Sequence, residues 1–117
     1  MGFKFENLEI WKLARSFTTE IYKITRTFPK DEIFGLISQL RRAAVSVTLN
    51  IAEGSNRGSD PDFKRFLHMA RGSLDEVVTG LFVAQDQNFI IEKEHRHLYE
   101  LADQLASKIT ALTKVLK

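Results

Sequence analysis

Two kinds of side chain in this sequence could do chemistry: a polar stripe set in an otherwise apolar stretch, and two groups of cations. The stripe is Gln39, Arg42, Ser46, Asn50 and Glu53, carried by LISQLRRAAVSVTLNIAEG, residues 36–54. At about 100° per residue on a helix these five fall within roughly 80° of one another. A second odd stripe, Met69, Ser73, Glu76 and Gly80 with Gly72 beside it, follows later in the chain. Ser46, Asn50 and Glu53 facing Ser73 and Glu76 would form either a polar site or a hydrogen-bond network that fixes register or a subunit contact. The structural network is the expectation here. A buried Glu53 would then need a cation, with Arg42 and Arg71 as the candidates.

The cations fall into two patches. Arg57, Lys64, Arg65 and Arg71 form the first, expected to make the principal contacts, and Lys12, Arg15, Lys23 and Arg26 form the second, ranked below it. Their natural ligand is phosphate, bound without reference to base sequence. The chain carries 17 Lys and Arg against 15 Asp and Glu, a net charge of +2. Such a balance permits an anionic partner without requiring one.

Other chemistries are weaker. No cysteine is present, which removes thiolate metal sites and cysteine nucleophiles. Glu92-x-x-His95 and Glu94-x-x-His97 have di-iron spacing, but no second helix repeats the pattern, and the four residues read as a solvated helix start. No metal or cofactor is expected. The loop Gly54-Ser55-Asn56-Arg57-Gly58-Ser59 is unsuited to a phosphate cradle, because Asp60 and Asp62 put negative charge at the helix start. No nucleophile elbow, Walker loop or dinucleotide fingerprint occurs, so no enzyme is expected.

The elements that position these residues follow from periodicity. After an extended lead-in over residues 1–6, Asn7 is the expected N-cap of a first helix with Ile10, Ala14, Phe17, Ile21, Ile24 and Phe28 inward. Pro29 ends it, and PKDEIFG is a short connection with room for one helical turn. The second helix spans Leu36–Gly54, with Gly54 expected as a left-handed C-terminal glycine. Asp60 as N-cap and Pro61 start a third helix, whose core stripe is Phe63, Leu67, Ala70, Leu74, Val77, Leu81 and Ala84. Its two glycines imply a close helix approach, since each costs about 1 kcal/mol in a helix interior. Asn88-Phe89 breaks the pattern, and a fourth helix runs from Ile91 to Leu116 with Leu98, Leu101, Leu105, Ile109, Leu112 and Leu116 inward.

Short connections make neighbouring helices antiparallel, so the expected fold is all-α: one domain over residues 1–117, an up-down-up-down four-helix bundle. Charged residues close to Met1 and the lack of a membrane-length apolar run point to a cytoplasmic protein without membrane contact. Helix 2 holds only Arg41, Arg42 and Glu53 as charges, too few for one fully solvated side. Self-association near helix 2 is therefore expected.

The segment SQLRRAAVSVTLNIAEG followed by GSNRGSDPDFKRFLHMARGSLDE resembles the small bacterial four-helix proteins encoded in intervening sequences of large-subunit ribosomal RNA genes. LEIWKLARSF and TFPKDEIFGL match as well, so the resemblance covers about the first 85 residues. Its most specific part pairs Ser46-x-x-x-Asn50-Ile51-Ala52-Glu53-Gly54 with Gly72-Ser73-Leu74-x-Glu76. Val47 and Thr48-Leu49 depart from it, standing where the family carries isoleucine and then smaller residues. The resemblance implies a ring-like homo-oligomer, a pentamer. A related branch, the accessory proteins of diversity-generating retroelements, binds nucleic acid and a reverse transcriptase. By that analogy the expected partners are further copies of the chain and nucleic acid, RNA before DNA, with a protein–protein assembly module as the alternative.

Overall fold

The apolar stripes are the buried faces of four α-helices: α1 (Glu9–Thr25), α2 (Leu36–Ser55), α3 (Asp60–Asp86) and α4 (Glu92–Val115). The computed structural model describes residues 2–117, and no strand occurs among them. The helices form a bundle of 43 × 23 × 22 Å. Its long axis is set by α3, whose 27 residues span about 40 Å at 1.5 Å per residue. Ile21, Leu40, Ile51, Leu67, Leu74, Leu81, Leu105 and Ile109 are fully buried, each contributing about 1.5–3 kcal/mol of transfer free energy. Ile24, Phe63, Leu101, Leu112 and Leu116 are only partly buried, while Phe66 and His95, absent from the expected stripes, are inside.

Contacts across the bundle give its register. On α2 and α3, Gly54 meets Phe66, Ser46 meets Ser73 and Leu40 meets Gly80, so partner numbers rise on one helix as they fall on the other. The same order holds between α1 and α4, where Glu9 reaches Lys108 and Glu20 reaches His97. Two glycines explain the close seam between α2 and α3. A Cβ on Gly54 would lie 2.6 Å from Phe66 Cβ, and one on Gly80 would lie 2.5 Å from Leu40 Cδ2. Gly72 does not share this role, because nothing lies within 4 Å of the position its Cβ would take.

Helix ends differ from expectation in four places. Lys4–Asn7 forms a 3-10 turn instead of an extended lead-in, with Phe5 packed 4.9 Å from the Trp11 ring; Met1 lies outside the described residues. Leu8, not Asn7, is the N-cap of α1. Gly54 lies within α2, which continues to Ser55, so Gly54 is selected by packing against Phe66 instead of by a left-handed backbone. The positive-φ positions among the described residues are Gly2 (φ 102°), Gly58 (φ 84°) in the α2–α3 loop and Asn88 (φ 62°) after α3, residue types suited to that region. Ser59, not Asp60, caps α3, its hydroxyl accepting from the Asp62 backbone N–H at 3.3 Å. The Asp60 carboxylate instead accepts the backbone N–H of Lys117 at 2.8 Å. The connection before α2 holds the anticipated single turn, a 3-10 helix over Lys30–Glu32.

Candidate functional site

The polar stripe divides into an inner and an outer part. Ser46 and Ser73 place their hydroxyl oxygens 2.9 Å apart across the α2–α3 seam. Asn50 Nδ2 donates to the Ser46 carbonyl at 2.9 Å and to Ser46 Oγ at 3.1 Å. Ser46 Oγ thus accepts from Asn50 and shares a hydrogen bond with Ser73 Oγ, giving a short relay across the seam. All three side chains are half-buried.

Gln39, Arg42, Glu53 and Glu76 lie outside this relay and are exposed on the protomer. The expectation of a buried Glu53 paired with Arg42 or Arg71 is corrected here. Glu53 Oε1 pairs with Arg57 Nη2 at 2.7 Å, one helical turn away. Arg71 is engaged elsewhere, with Asp75 at 3.4 Å and Thr110 of α4 at 3.0 Å. Gln39 and Glu76 instead border a shallow groove of about 480 Å³ floored by Gly72 and Gly80.

The two cationic patches differ in how far they are already neutralised. On α3 and its entry loop, Arg57 is held by Glu53, Arg65 by Asp62 at 3.6 Å and Arg71 by Asp75. Arg57 and Arg65 both lie over the Phe66 ring, 4.8 and 4.6 Å from its centroid. Lys64 is half-buried. On α1, Lys12, Arg15, Lys23 and Arg26 fall within roughly 80° on the helix at about 100° per residue. Lys23 pairs with Glu20 at 3.6 Å, and Arg15 stacks 5.5 Å from the Trp11 ring centre. Among the described residues, Lys12, Arg15 and Arg26 have no carboxylate in ion-pair contact, nor do Arg41 and Arg42 of α2. Sequence reasoning missed Phe66 and Arg41. Arg41 reaches back to α1, donating to Thr25 Oγ1 at 2.9 Å and covering the Tyr22 ring at 4.6 Å.

The histidines do not assemble a metal centre, since no three of the His, Asp and Glu side chains described come close enough to share an ion. His95 departs from the solvated face expected of it: it is buried against Phe82, with ring centroids 4.5 Å apart. His97 lies 3.7 Å from Glu20, Glu92 pairs with Arg96 at 2.8 Å, and Glu94 accepts the Ile91 backbone N–H at 3.0 Å. At the start of α3 the Ser59 hydroxyl already occupies one free amide and Asp60 and Asp62 supply the negative charge, so no anion is needed there. No described helix is long and apolar enough to cross a membrane.

Residues 6–111 match the family model described as 23S rRNA-intervening sequence protein. The match continues through most of α4, beyond the part of the chain whose motifs carry the resemblance. A crystal structure of a protein of unknown function from the S23 ribosomal protein family of Bacteroides thetaiotaomicron VPI-5482 has a similar fold, with a TM-score of 0.81 at 18% identity. The alignment covers 91% of this chain and 99% of that one. Among proteins with curated descriptions, none matches the chain.

Proposed function

Since the chain belongs to the 23S rRNA-intervening sequence protein family, we propose that it is a non-enzymatic, homo-oligomeric scaffold that binds nucleic acid, RNA before DNA. The observation that carries this reading is the face of α1, where Lys12, Arg15 and Arg26 stand exposed without carboxylate partners among the described residues. Unneutralised cations on one helix face suit a phosphate backbone, because releasing the counterions around phosphate drives binding. The more neutralised patch of Arg57, Lys64, Arg65 and Arg71 ranks second, reversing the order suggested by sequence.

The protomer is read as an up-down-up-down antiparallel bundle, supported by the opposed numbering of the α2–α3 and α1–α4 contacts. Assembly into a ring, a pentamer by family resemblance, is supported by Gly72. An interior helical glycine with open space around it costs about 1 kcal/mol without benefit inside the protomer, and close approach of another copy would account for it. The same observation favours the second reading, an assembly module that binds no nucleic acid. A ring would repeat each weak basic face once per subunit, so modest sites would act together.

The test is an anisotropy titration with structured RNA and duplex DNA at two salt concentrations, alongside light scattering. Binding that is insensitive to sequence and falls steeply with salt is expected. No binding at low salt would leave the assembly module, and a monomer at micromolar concentration would remove both readings.

A further inference from the structure

A groove of about 390 Å³ runs between α1 and α2, with Arg15 and Arg26 at its rim. Its floor is apolar for a specific reason: the Thr18 and Thr19 hydroxyls are turned to the backbone, and that of Thr48 to Thr18. Thr18 Oγ1 lies 2.8 Å from the Ala14 carbonyl, 3.1 Å from that of Ala44 and 3.3 Å from Thr48 Oγ1. Thr19 Oγ1 lies 3.3 Å from the Arg15 carbonyl. Methyl groups are therefore left facing outward beside Val45 and Leu49, and Leu49 is 62% exposed although it is apolar.

We propose that this groove docks an amphipathic helix of a partner protein, one with an apolar face flanked by carboxylates. Charge complementarity selects the occupant. Arg15 and Arg26 are exposed and lack ion-pair partners among the described residues. They are eleven residues apart, about three helical turns and roughly 16 Å, so both fall on one side of α1. A partner helix laid along the groove returns to the same face at the same interval. Carboxylates at i and i+11 would meet the two arginines while apolar residues at i+4 and i+7 cover Leu49 and Val45. Unpaired nucleobases fit less well. They need edge donors and acceptors or an open aromatic plate; apart from the Tyr22 hydroxyl the floor offers neither, and Arg41 already covers the Tyr22 ring. Because Arg15 and Arg26 also belong to the cationic face of α1, a docked helix and a nucleic acid would exclude one another there.

The test uses the full chain and two labelled helical peptides, one with leucine at i+4 and i+7 and glutamate at i and i+11, the other with lysine replacing the glutamates. Fluorescence anisotropy should show the acidic peptide binding and the basic one failing to bind. Leu49→Ser and the double reversal Arg15→Glu, Arg26→Glu should each weaken the acidic peptide about tenfold, and the double reversal should admit the basic one. These positions are exposed, so folding is retained and is checked by thermal melting. Equal binding of the two peptides, or unchanged binding in both variants, overturns the proposal. So does a smaller particle in light scattering of Leu49→Ser, which would make the groove a contact between copies. Loss of RNA binding in Leu49→Ser with peptide binding intact would assign the groove to bases and overturn it as well.

Discussion

Gly54 of α2 and Phe66 of α3 meet so closely that a side chain on the glycine would begin 2.6 Å from Phe66 Cβ, with Phe63 Cδ1 at 3.0 Å. Phe66 Cβ is fixed to its backbone and cannot swing away, so Gly54→Ala must push the helices apart. Overpacking of this kind costs about 1–3 kcal/mol, against a gain of up to about 1 kcal/mol in helix propensity. A net loss of roughly 1–2 kcal/mol, read as a lower melting temperature, is expected. Gly80→Ala should cost less, because its nearest obstacle is the mobile end of Leu40.

Gly72→Ala separates protomer from assembly. Within one protomer the new methyl meets nothing within 4 Å, so stability should rise by about 0.5–1 kcal/mol. If another copy packs on this face, light scattering should show the oligomer weakened while the isolated fold is kept. A variant that melts higher with unchanged particle size would move the subunit contact elsewhere.

In the relay across the seam, Asn50→Leu removes the donor to Ser46 and should lower stability by about 1 kcal/mol. Glu53→Ala breaks only an exposed pair with Arg57 and should change protomer melting by at most about 0.5 kcal/mol. An effect of Glu53→Ala on particle size without one on protomer melting would assign Glu53 to a contact between copies. Unchanged melting and size in both variants would refute a structural role for the stripe.

Charge reversal should rank the basic faces. Glutamate at Lys12, Arg15 and Arg26 should weaken RNA binding at low salt by about tenfold or more, because three unneutralised charges are lost. The same change at Arg57, Arg65 and Arg71 should weaken it less, since each is already held by a carboxylate. The opposite ranking in a titration would move the nucleic-acid face to α3.

The four helices were legible because Ile10, Ala14, Phe17 and Ile21, like Leu67, Ala70, Leu74 and Val77, keep a helical period without interruption, and all are buried. The pairing of Ser46 with Ser73 was legible from two polar stripes on adjacent helices. The caps were not. Ser59 and Asp60 are both good capping residues, and only backbone geometry decides between them. Gly54 followed by a polar loop has the composition of a helix stop, and its real constraint, the Phe66 side chain twelve residues on, leaves no local signal. The α1–α2 groove was equally hidden, because Thr18 and Thr48 look polar until the Thr18 hydroxyl is seen turned to the backbone and that of Thr48 turned to Thr18.

The glycine-lined seam also sets how the molecule opens. The contact between α2 and α3 is the most extensive of any helix pair, and only residues 56–59 join them. Among the described residues the polar links between α1 and α4 are the half-exposed pairs Glu9–Lys108 and Glu20–His97. Local openings follow such differences in buried contact. In hydrogen–deuterium exchange, the amides of Ala44, Val47, Leu74 and Val77 should therefore outlast those of α1 and of the last turns of α4. The α2–α3 hairpin then behaves as the last unit to melt and the first that can form, with the outer helices docking onto it.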